Sequence, residues 1–220
     1  MISAEIFSQL ANLFSFLVLG TTILLIVRHS LMGQVRVFAL QSFVLAILAT
    51  IVAVFEGDVV LLGVAILVLV VKTIVLPRVL ARAVTNIGLE RAVAPYVSTP
   101  IALAVCGALI VVAFYVMVPI ASPNPLPTAG AMPLAFAGVL IGLFVTVNRR
   151  RALTQILGFL TLENGIFLLA LLATYGVPFI VEAGIFLDVL VAVLIMEVFV
   201  YRIKENFESI DVGQMGELKG

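Results

Sequence analysis

The chain contains about seven apolar runs, each long enough to cross a lipid bilayer as a helix. A hydrocarbon core about 30 Å thick needs roughly 20 residues at a rise of 1.5 Å per residue. Because backbone groups in lipid must be satisfied internally, open sheets are excluded. We expect spans at Phe7 to Val27, Val37 to Phe55, Val59 to Leu76, Pro100 to Ile120, Ala131 to Val147, Thr154 to Tyr175 and Phe179 to Tyr201.

Composition indicates the same class of protein. Hydrophobic residues make up 64% of the 220 residues and charged residues 11%, which is too little polar surface for a soluble domain of this size. The first residues include Glu5 and no basic group, so we expect the first span to be retained rather than cleaved as a signal peptide. The fold class predicted is all-α, a polytopic membrane protein with about seven transmembrane helices.

Outside the runs, basic residues fall only in alternate connections and after the last run. The opposite connections contain Glu56, Asp58 and Glu182 but neither lysine nor arginine. Positively charged loops stay in the cytoplasm. We therefore predict an N-terminus outside and a C-terminus in the cytoplasm. The cytoplasmic basic residues are Arg28, His29, Arg36, Arg78, Arg82, Arg91, Arg149, Arg150, Arg151, Arg202 and Lys204.

A turn-rich segment divides the chain. Residues 122–133, SPNPLPTAGAMP, are expected to form an external proline-rich linker. It separates a four-helix part, residues 1–121, from a three-helix part, residues 134–205, and residues 206–220 form a cytoplasmic tail. Pro77 should end the third span, and RVLARAVTNIGLERAV can continue as an amphipathic interfacial helix. Gly138 and Gly142 form a GxxxG pair that permits close approach of another helix.

Glu163 and Asp188 stand near the middle of two neighbouring apolar runs. Insertion scales give an acidic residue at a helix centre a cost of roughly 2.5 to 3.5 kcal/mol, so such a group usually faces protein or a water-filled path. Glu163 follows Arg151 by 12 residues and Asp188 precedes Arg202 by 14, depths of about 18 and 21 Å. Two carboxylates at one depth predict a proton relay. In the alternative, each is protonated and bonds a neighbouring helix through a polar group such as Asn164.

Lys72 and Glu197 lie nearer the predicted inner surface, at depths of about 9 and 7.5 Å counted from Arg78 and Arg202. These depths allow an ion pair that extends the relay toward the cytoplasm. Glu197 follows Asp188 by nine residues and so lies on the opposite face of its helix. In the alternative, the Lys72 ammonium reaches the lipid headgroups, and Glu197 is solvated in the same way.

The sequence argues against cofactor chemistry within this chain. Cys106 and His29 are its one cysteine and one histidine, too few ligands for haem, iron-sulfur, copper or zinc sites. There is no phosphate-binding loop and no Ser-His-Asp set, and the 19 residues from Arg202 to Gly220 are too few for a catalytic domain. We expect no catalytic residue, no cofactor, no metal and no nucleic-acid partner for the chain itself.

Several segments carry a resemblance to a known family. They are NRRRALTQILGFLTLENGIFLLALLATYG, VEAGIFLDVLVAVLIMEVFVYRI, DVGQMGELKG, and upstream ALQSFVLA and VVKTIVLP. With them the chain resembles component E of hydrogenase-4, a small membrane subunit of formate-hydrogenlyase-like group 4 nickel-iron hydrogenases. The last three spans also resemble the K subunit of respiratory complex I, which carries two buried glutamates. By that resemblance Glu163 takes the first position and Asp188 the second. The aspartate is shorter, and the two acids are 25 residues apart, closer than in that subunit.

The resemblance implies a non-catalytic subunit of an oxidoreductase complex in the cytoplasmic (inner) membrane. Its implied partners, besides lipids, are antiporter-like and other complex-I-like membrane subunits and a cytoplasmic hydrogenase arm, which would hold the nickel-iron centre and iron-sulfur clusters. The function predicted is a share in a proton or cation path through Glu163, Asp188, Lys72 and Glu197.

Other functional classes make different demands on the sequence. A purely structural scaffold subunit of the same complex would have inert, protonated acids. A stand-alone transporter would be expected to show internal repeats and broken helices, and we find no repeat. A retinal photoreceptor would need a lysine in the last span, which has none.

Overall fold

The computed structural model describes residues 3–86, 95–174 and 184. Within these residues the chain is helical and has no strand. A π-helical turn, Val71–Val75, joins α3 to α4 without a break, and a short 3-10 helix, Ala129–Ala131, precedes α6. The α-helices are α1 (Ala4–Val27), α2 (Leu31–Glu56), α3 (Val59–Val70), α4 (Leu76–Asn86), α5 (Thr99–Ala121), α6 (Met132–Asn148) and α7 (Ala152–Thr174).

Six helical stretches in the described part are long and apolar enough to cross a membrane, with α3, the π turn and α4 counting as one. For the described residues this confirms the prediction of an all-helical protein with several helices of membrane-spanning length. The predicted seventh span, Phe179 to Tyr201, and the predicted tail after it lie outside the described residues, apart from Gly184.

Polar N-cap residues define the first residues of α2 and α3. The Ser30 hydroxyl accepts from the Gly33 N–H at 3.2 Å, so α2 starts six residues before its predicted start and Arg36 lies within the helix rather than in a loop. At the other end Gly57 adopts a left-handed φ of 70°, a conformation that favours glycine at a helix C-terminus. Asp58 then caps α3 by accepting from two backbone N–H groups. The two connections are therefore very short.

The helix of the third span continues without a break past Leu76 and Pro77 to Asn86. The Leu76 N–H donates to the Val71 carbonyl, five residues back, which is the wider hydrogen-bond spacing of a π-helix. Pro77, which has no N–H to donate, follows this turn and is buried. The helical continuation predicted after Pro77 is confirmed as far as Asn86.

Glycines bring the backbones of α6 and α7 into direct contact. A Cβ atom added to Gly142 would stand 2.6 Å from Leu162 Cα, and one added to Gly158 would stand 2.7 Å from the Thr146 nitrogen. Gly165 meets the backbone at Val139 in the same way, at 2.8 Å. The partner helix predicted from the GxxxG pair is therefore α7, and this contact fixes the rotation of α7 about its own axis.

The connection between α5 and α6 also holds α7. The buried Thr128 hydroxyl donates to the Leu172 carbonyl at 2.6 Å, near the end of α7. Asn124 accepts from the Leu126 N–H and so shapes the turn before it. This end of α7 is tied down independently of its glycine contacts.

The interior consists of two apolar clusters stacked along the helix axes, with polar residues at the boundary between them. In α2 the clusters are separated by Gln41 and Ser42, which lie between Phe38 and Val44. In α7 they are separated by Glu163 and Asn164. These four buried polar side chains thus lie in one layer at mid-height of the helices.

Candidate functional site

A buried ion pair lies in this polar layer. Lys72 Nζ donates to Glu163 Oε1 at 2.7 Å, and the two side chains are 7% and 8% exposed. Lys72 belongs to the π-helical turn and Glu163 lies midway along α7. A buried ammonium and carboxylate are tolerated because each offsets the desolvation of the other. The π turn matters here because such bulges are frequent at functional positions.

Polar residues of α1, α2 and α7 surround the pair. Lys72 Nζ also lies 3.3 Å from Asn164 Oδ1. The Asn164 amide nitrogen donates to Gln41 Oε1 at 3.2 Å and to Ser42 Oγ at 3.1 Å. Gln41 in turn donates to the Thr22 hydroxyl at 2.7 Å. Four helical segments therefore meet at one network in which these neutral residues are almost fully buried.

The hydrogen bonds of the network all run from donor to acceptor in the same direction, away from Lys72, because Lys72 can only donate. An ammonium group donates hydrogen bonds and accepts none, so the oxygen of Asn164 must face Lys72 and its nitrogen must face α2. The oxygen of Gln41 must then face Asn164, which leaves its nitrogen to face Thr22. Thr22 donates onward to the Val18 carbonyl at 2.9 Å. Each dipole in the series presents its negative end toward the ammonium.

Glu163 differs from the other members of the network in having an unused acceptor. Its Oε2 atom is buried and accepts no hydrogen bond within the described part of the chain. Gly184 lies beside the other oxygen, since a Cβ atom added there would stand 3.0 Å from Oε1. The carboxylate is therefore bordered by Lys72 on one side and by the backbone at Gly184 on another.

The four predicted site residues fall into two groups. Lys72 and Glu163 meet directly, a pairing that was not expected from their estimated depths. Asp188 and Glu197 lie outside the described residues. The alternative in which Lys72 reaches the headgroups is not observed, because its ammonium is bonded to Glu163 inside the protein. Gln41, Ser42 and Thr22 were not predicted as site residues, although polar side chains inside long apolar runs are a signal that could have found them.

A second buried cation fixes the loop between α6 and α7. Arg149 donates to the Leu25 carbonyl at 3.1 Å, one of the last carbonyls of α1, which have no partner within the helix. Burial lowers the pKa of the Arg149 guanidinium below its usual value. A cation at this position also stabilises the negative end of the helix dipole. Its role is thus to tie α1 to α7 at one end of the bundle.

The described network combines one ion pair with amide and hydroxyl groups. No three histidine, cysteine, aspartate or glutamate side chains in residues 3–86, 95–174 and 184 lie close enough to hold a metal ion. Glu163 is the group of the network that can take up a proton at a free oxygen atom. The amides and hydroxyls can orient and stabilise charge but do not ionise near neutral pH.

Comparison with known proteins reveals similarity along most of the chain. No family model matches it. Uncharacterized protein Rv0085 of Mycobacterium tuberculosis (strain ATCC 25618 / H37Rv) is 39% identical over 199 residues, 90% of this chain and 90% of that protein. The chain belongs to the family of Rv0085. Hydrogenase-4 component E of Escherichia coli (strain K12) is 29% identical over 215 residues, 97% of this chain and 99% of that protein. Component E of Shigella flexneri is similar to the same extent. No solved structure matches.

The aligned region with component E is nearly the full length of both proteins. The predicted resemblance to component E is therefore confirmed as a similarity. None of these comparisons bears on the predicted resemblance to the K subunit of complex I.

Proposed function

We propose that the chain is a membrane subunit of a multi-subunit hydrogenase complex, in which Glu163 carries a translocated proton or cation. The full-length similarity to hydrogenase-4 component E supports the place in a complex. The proposed ion path rests on one observation, the Lys72–Glu163 pair buried at the boundary between two apolar clusters.

Two opposing influences make Glu163 suitable for this role. Burial disfavours an ionised carboxylate, whereas an ammonium at hydrogen-bond distance stabilises it. A proton can bind at Oε2, which no described donor occupies, while Lys72 keeps its contact with Oε1 and Asn164. In each cycle an O–H bond would form at Oε2 with a proton from water on one side and break with release to the other side.

Asp188 is the proposed next carrier, and Gly184 supports this proposal. Gly184 lies against Glu163, and Asp188 follows it by four residues. In the helix that the sequence predicts for residues 179–201, residues four apart lie on the same face. Glu197 is proposed to extend the path toward the cytoplasm. Lys72 takes part as the fixed charge that holds Glu163 rather than as a carrier.

The proposed arrangement has seven spans with the N-terminus outside and the C-terminus in the cytoplasm of the inner membrane. Glu163 is 11 residues from either end of α7. Gly184 lies at the level of Glu163. This is the position expected if the chain turns after α7 and runs back beside it. The absence of lysine and arginine from the predicted external loops supports the orientation.

The proposed neighbours are antiporter-like and other complex-I-like membrane subunits together with a cytoplasmic hydrogenase arm. Purification of the tagged chain in mild detergent, followed by mass spectrometry, tests this proposal. We expect these subunits to be recovered with the chain, with nickel and iron in the preparation. Recovery of the chain alone as a monodisperse protein would overturn the place in a complex and favour a stand-alone transporter.

The ion path is tested by Glu163→Gln in the assembled complex. We expect assembly and hydrogen turnover to persist while proton translocation per hydrogen falls by roughly tenfold or more, as for loss of a positioned acid-base group. Glu56→Gln, which neutralises an exposed carboxylate outside the network, provides the control. Full translocation in Glu163→Gln would leave the scaffold function as the better description.

A further inference from the structure

Glu163 has a resident cation, and that cation is Lys72. The ammonium lies 2.7 Å from Oε1 of Glu163 and 3.3 Å from Oδ1 of Asn164. A hard metal cation would seek a carboxylate and an amide oxygen of just this kind. Lys72 therefore fills the position beside Glu163 that a sodium ion would otherwise take.

Each of the other side-chain oxygens that follow Asn164 in the network already accepts a hydrogen bond. Gln41 Oε1 and Ser42 Oγ accept from Asn164, and the Thr22 hydroxyl accepts from Gln41. Among these atoms Glu163 Oε2 is the acceptor left over. One oxygen suffices to bind a proton, whereas a metal cation needs several oxygens and would also be repelled by the nearby ammonium.

The one-way hydrogen-bond series keeps the ammonium in place. Because the oxygen of each amide faces toward Lys72, the series stabilises a positive charge at that position. It ends at the Val18 carbonyl, which has no proton to pass on. The series therefore anchors Lys72 to α1 and offers no path for protons in that direction.

From these contacts we infer that the site selects protons and excludes sodium because Lys72, anchored through Asn164, Gln41 and Thr22, is its built-in cation. This inference rests on the proposed function of Glu163 and specifies the ion that it carries. Asn164, Gln41 and Thr22 are positioning residues, since they act through Lys72 rather than on the translocated ion.

The test uses the complex purified through the tagged chain, reconstituted into proteoliposomes and driven by hydrogen turnover. A trapped pH dye reports proton movement and radioactive sodium reports sodium movement, in sodium chloride and in choline chloride. We expect proton translocation that is the same in both salts and no sodium uptake. In Lys72→Met, sodium should become able to bind beside Glu163 and should inhibit proton translocation.

Thr22 and Thr21 provide a matched pair if Lys72→Met fails to assemble. Both are buried and both donate to the Val18 carbonyl, but the structure gives only Thr22 a bond from Gln41. Thr22→Val should make proton translocation sodium-sensitive, with a roughly two- to tenfold change for the loss of one hydrogen bond. Thr22→Ser, which keeps the hydroxyl, and Thr21→Val should remain insensitive to sodium.

The outcomes separate this inference from the proposed function. Sodium uptake by the unmodified complex that is lost in Glu163→Gln would overturn proton selectivity but support a cation path through Glu163. Translocation that is unchanged in Glu163→Gln would overturn the proposed function itself. Sodium insensitivity in both Lys72→Met and Thr22→Val, or in Thr22→Val alone if the other variant does not assemble, would overturn the role of Lys72 as resident cation.

Discussion

Lys72 and Glu163 are 91 positions apart in sequence, yet their charged atoms lie 2.7 Å apart between two apolar clusters. Removing one partner of such a pair leaves an uncompensated charge in the interior, which typically costs about 3 to 5 kcal/mol. We therefore expect Lys72→Met to lower the free energy of unfolding by about that amount. Thermal or denaturant unfolding in detergent micelles measures the change.

A double variant isolates the pair from other effects of the substitution. Lys72→Met combined with Glu163→Gln removes both charges, and it should recover much of the stability lost by Lys72→Met. Arg82→Met, which removes an exposed cation from α4, serves as the control and should change stability little. A double variant no more stable than Lys72→Met would show that the lost charge pairing is not the cause.

The sequence predicted a buried charge at Glu163. For Lys72 it allowed either an ion pair with Glu197 or an ammonium among the lipid headgroups, and it did not predict that Lys72 meets Glu163. The depth of Lys72 was counted from Arg78, on the assumption that the helix leaves the membrane at Pro77. The bond from Lys72 Nζ to Glu163 Oε1 instead puts the two groups at one level. The count failed because Arg78 was taken to mark the membrane surface, although the helix continues beyond it.

The close contact of α6 and α7 predicts different outcomes for the two glycines of the GxxxG pair. A Cβ atom at Gly142 would overlap Leu162, whereas one at Gly138 has nothing within 4 Å. Gly142→Ala must separate the helices or shift α7, at a cost of about 1 to 3 kcal/mol. Gly138→Ala should be neutral or slightly stabilising, because alanine favours helix by about 0.8 to 1 kcal/mol over glycine. Unfolding measurements on the two variants compare them, and equal destabilisation would contradict the helix contact described here.

The apolar spans were predictable from the sequence, whereas the network that joins them was not. Each long apolar run has a length set by the bilayer, and local composition is enough to find it. Which polar residue meets which depends on the rotation of each helix, and the sequence of one helix does not contain that information. Glu163 reaches Lys72 because Gly158 and Gly165 fix the opposite side of α7 against α6. The sequence therefore shows that Gln41 and Thr22 are polar residues within apolar runs, but it does not show that they bond each other.

Arg149 and Arg150 are neighbours in sequence with different consequences for stability. Arg149 is buried and bonds the Leu25 carbonyl, whereas Arg150 is exposed and lies over the Tyr96 ring at 4.5 Å. We expect Arg149→Ala to destabilise by about 1.5 to 3 kcal/mol, the contribution of a hydrogen bond from a charged group. Arg150→Ala should cost about 0.5 to 1 kcal/mol, as for an exposed cation over an aromatic ring. Unfolding in detergent and protease cleavage near α1 distinguish them, and a larger effect of Arg150→Ala would contradict the assignment of Arg149 as the tie.

Gly184 tests the site through Glu163 Oε1, the oxygen that also accepts from Lys72. An alanine there would place its Cβ 3.0 Å from Glu163 Oε1, so the carboxylate would have to move by a few tenths of an ångström. Since Oε1 accepts from Lys72, we expect Gly184→Ala to weaken the ion pair and to lower proton translocation more than assembly or hydrogen turnover. Gly63→Ala is the matched control, because a Cβ atom at that glycine of α3 meets nothing within 4 Å. Translocation by the reconstituted complex measures both variants. An unchanged rate in Gly184→Ala would mean that the carboxylate does not need its present position, and a similar loss in both variants would trace the effect to the helices rather than to Glu163.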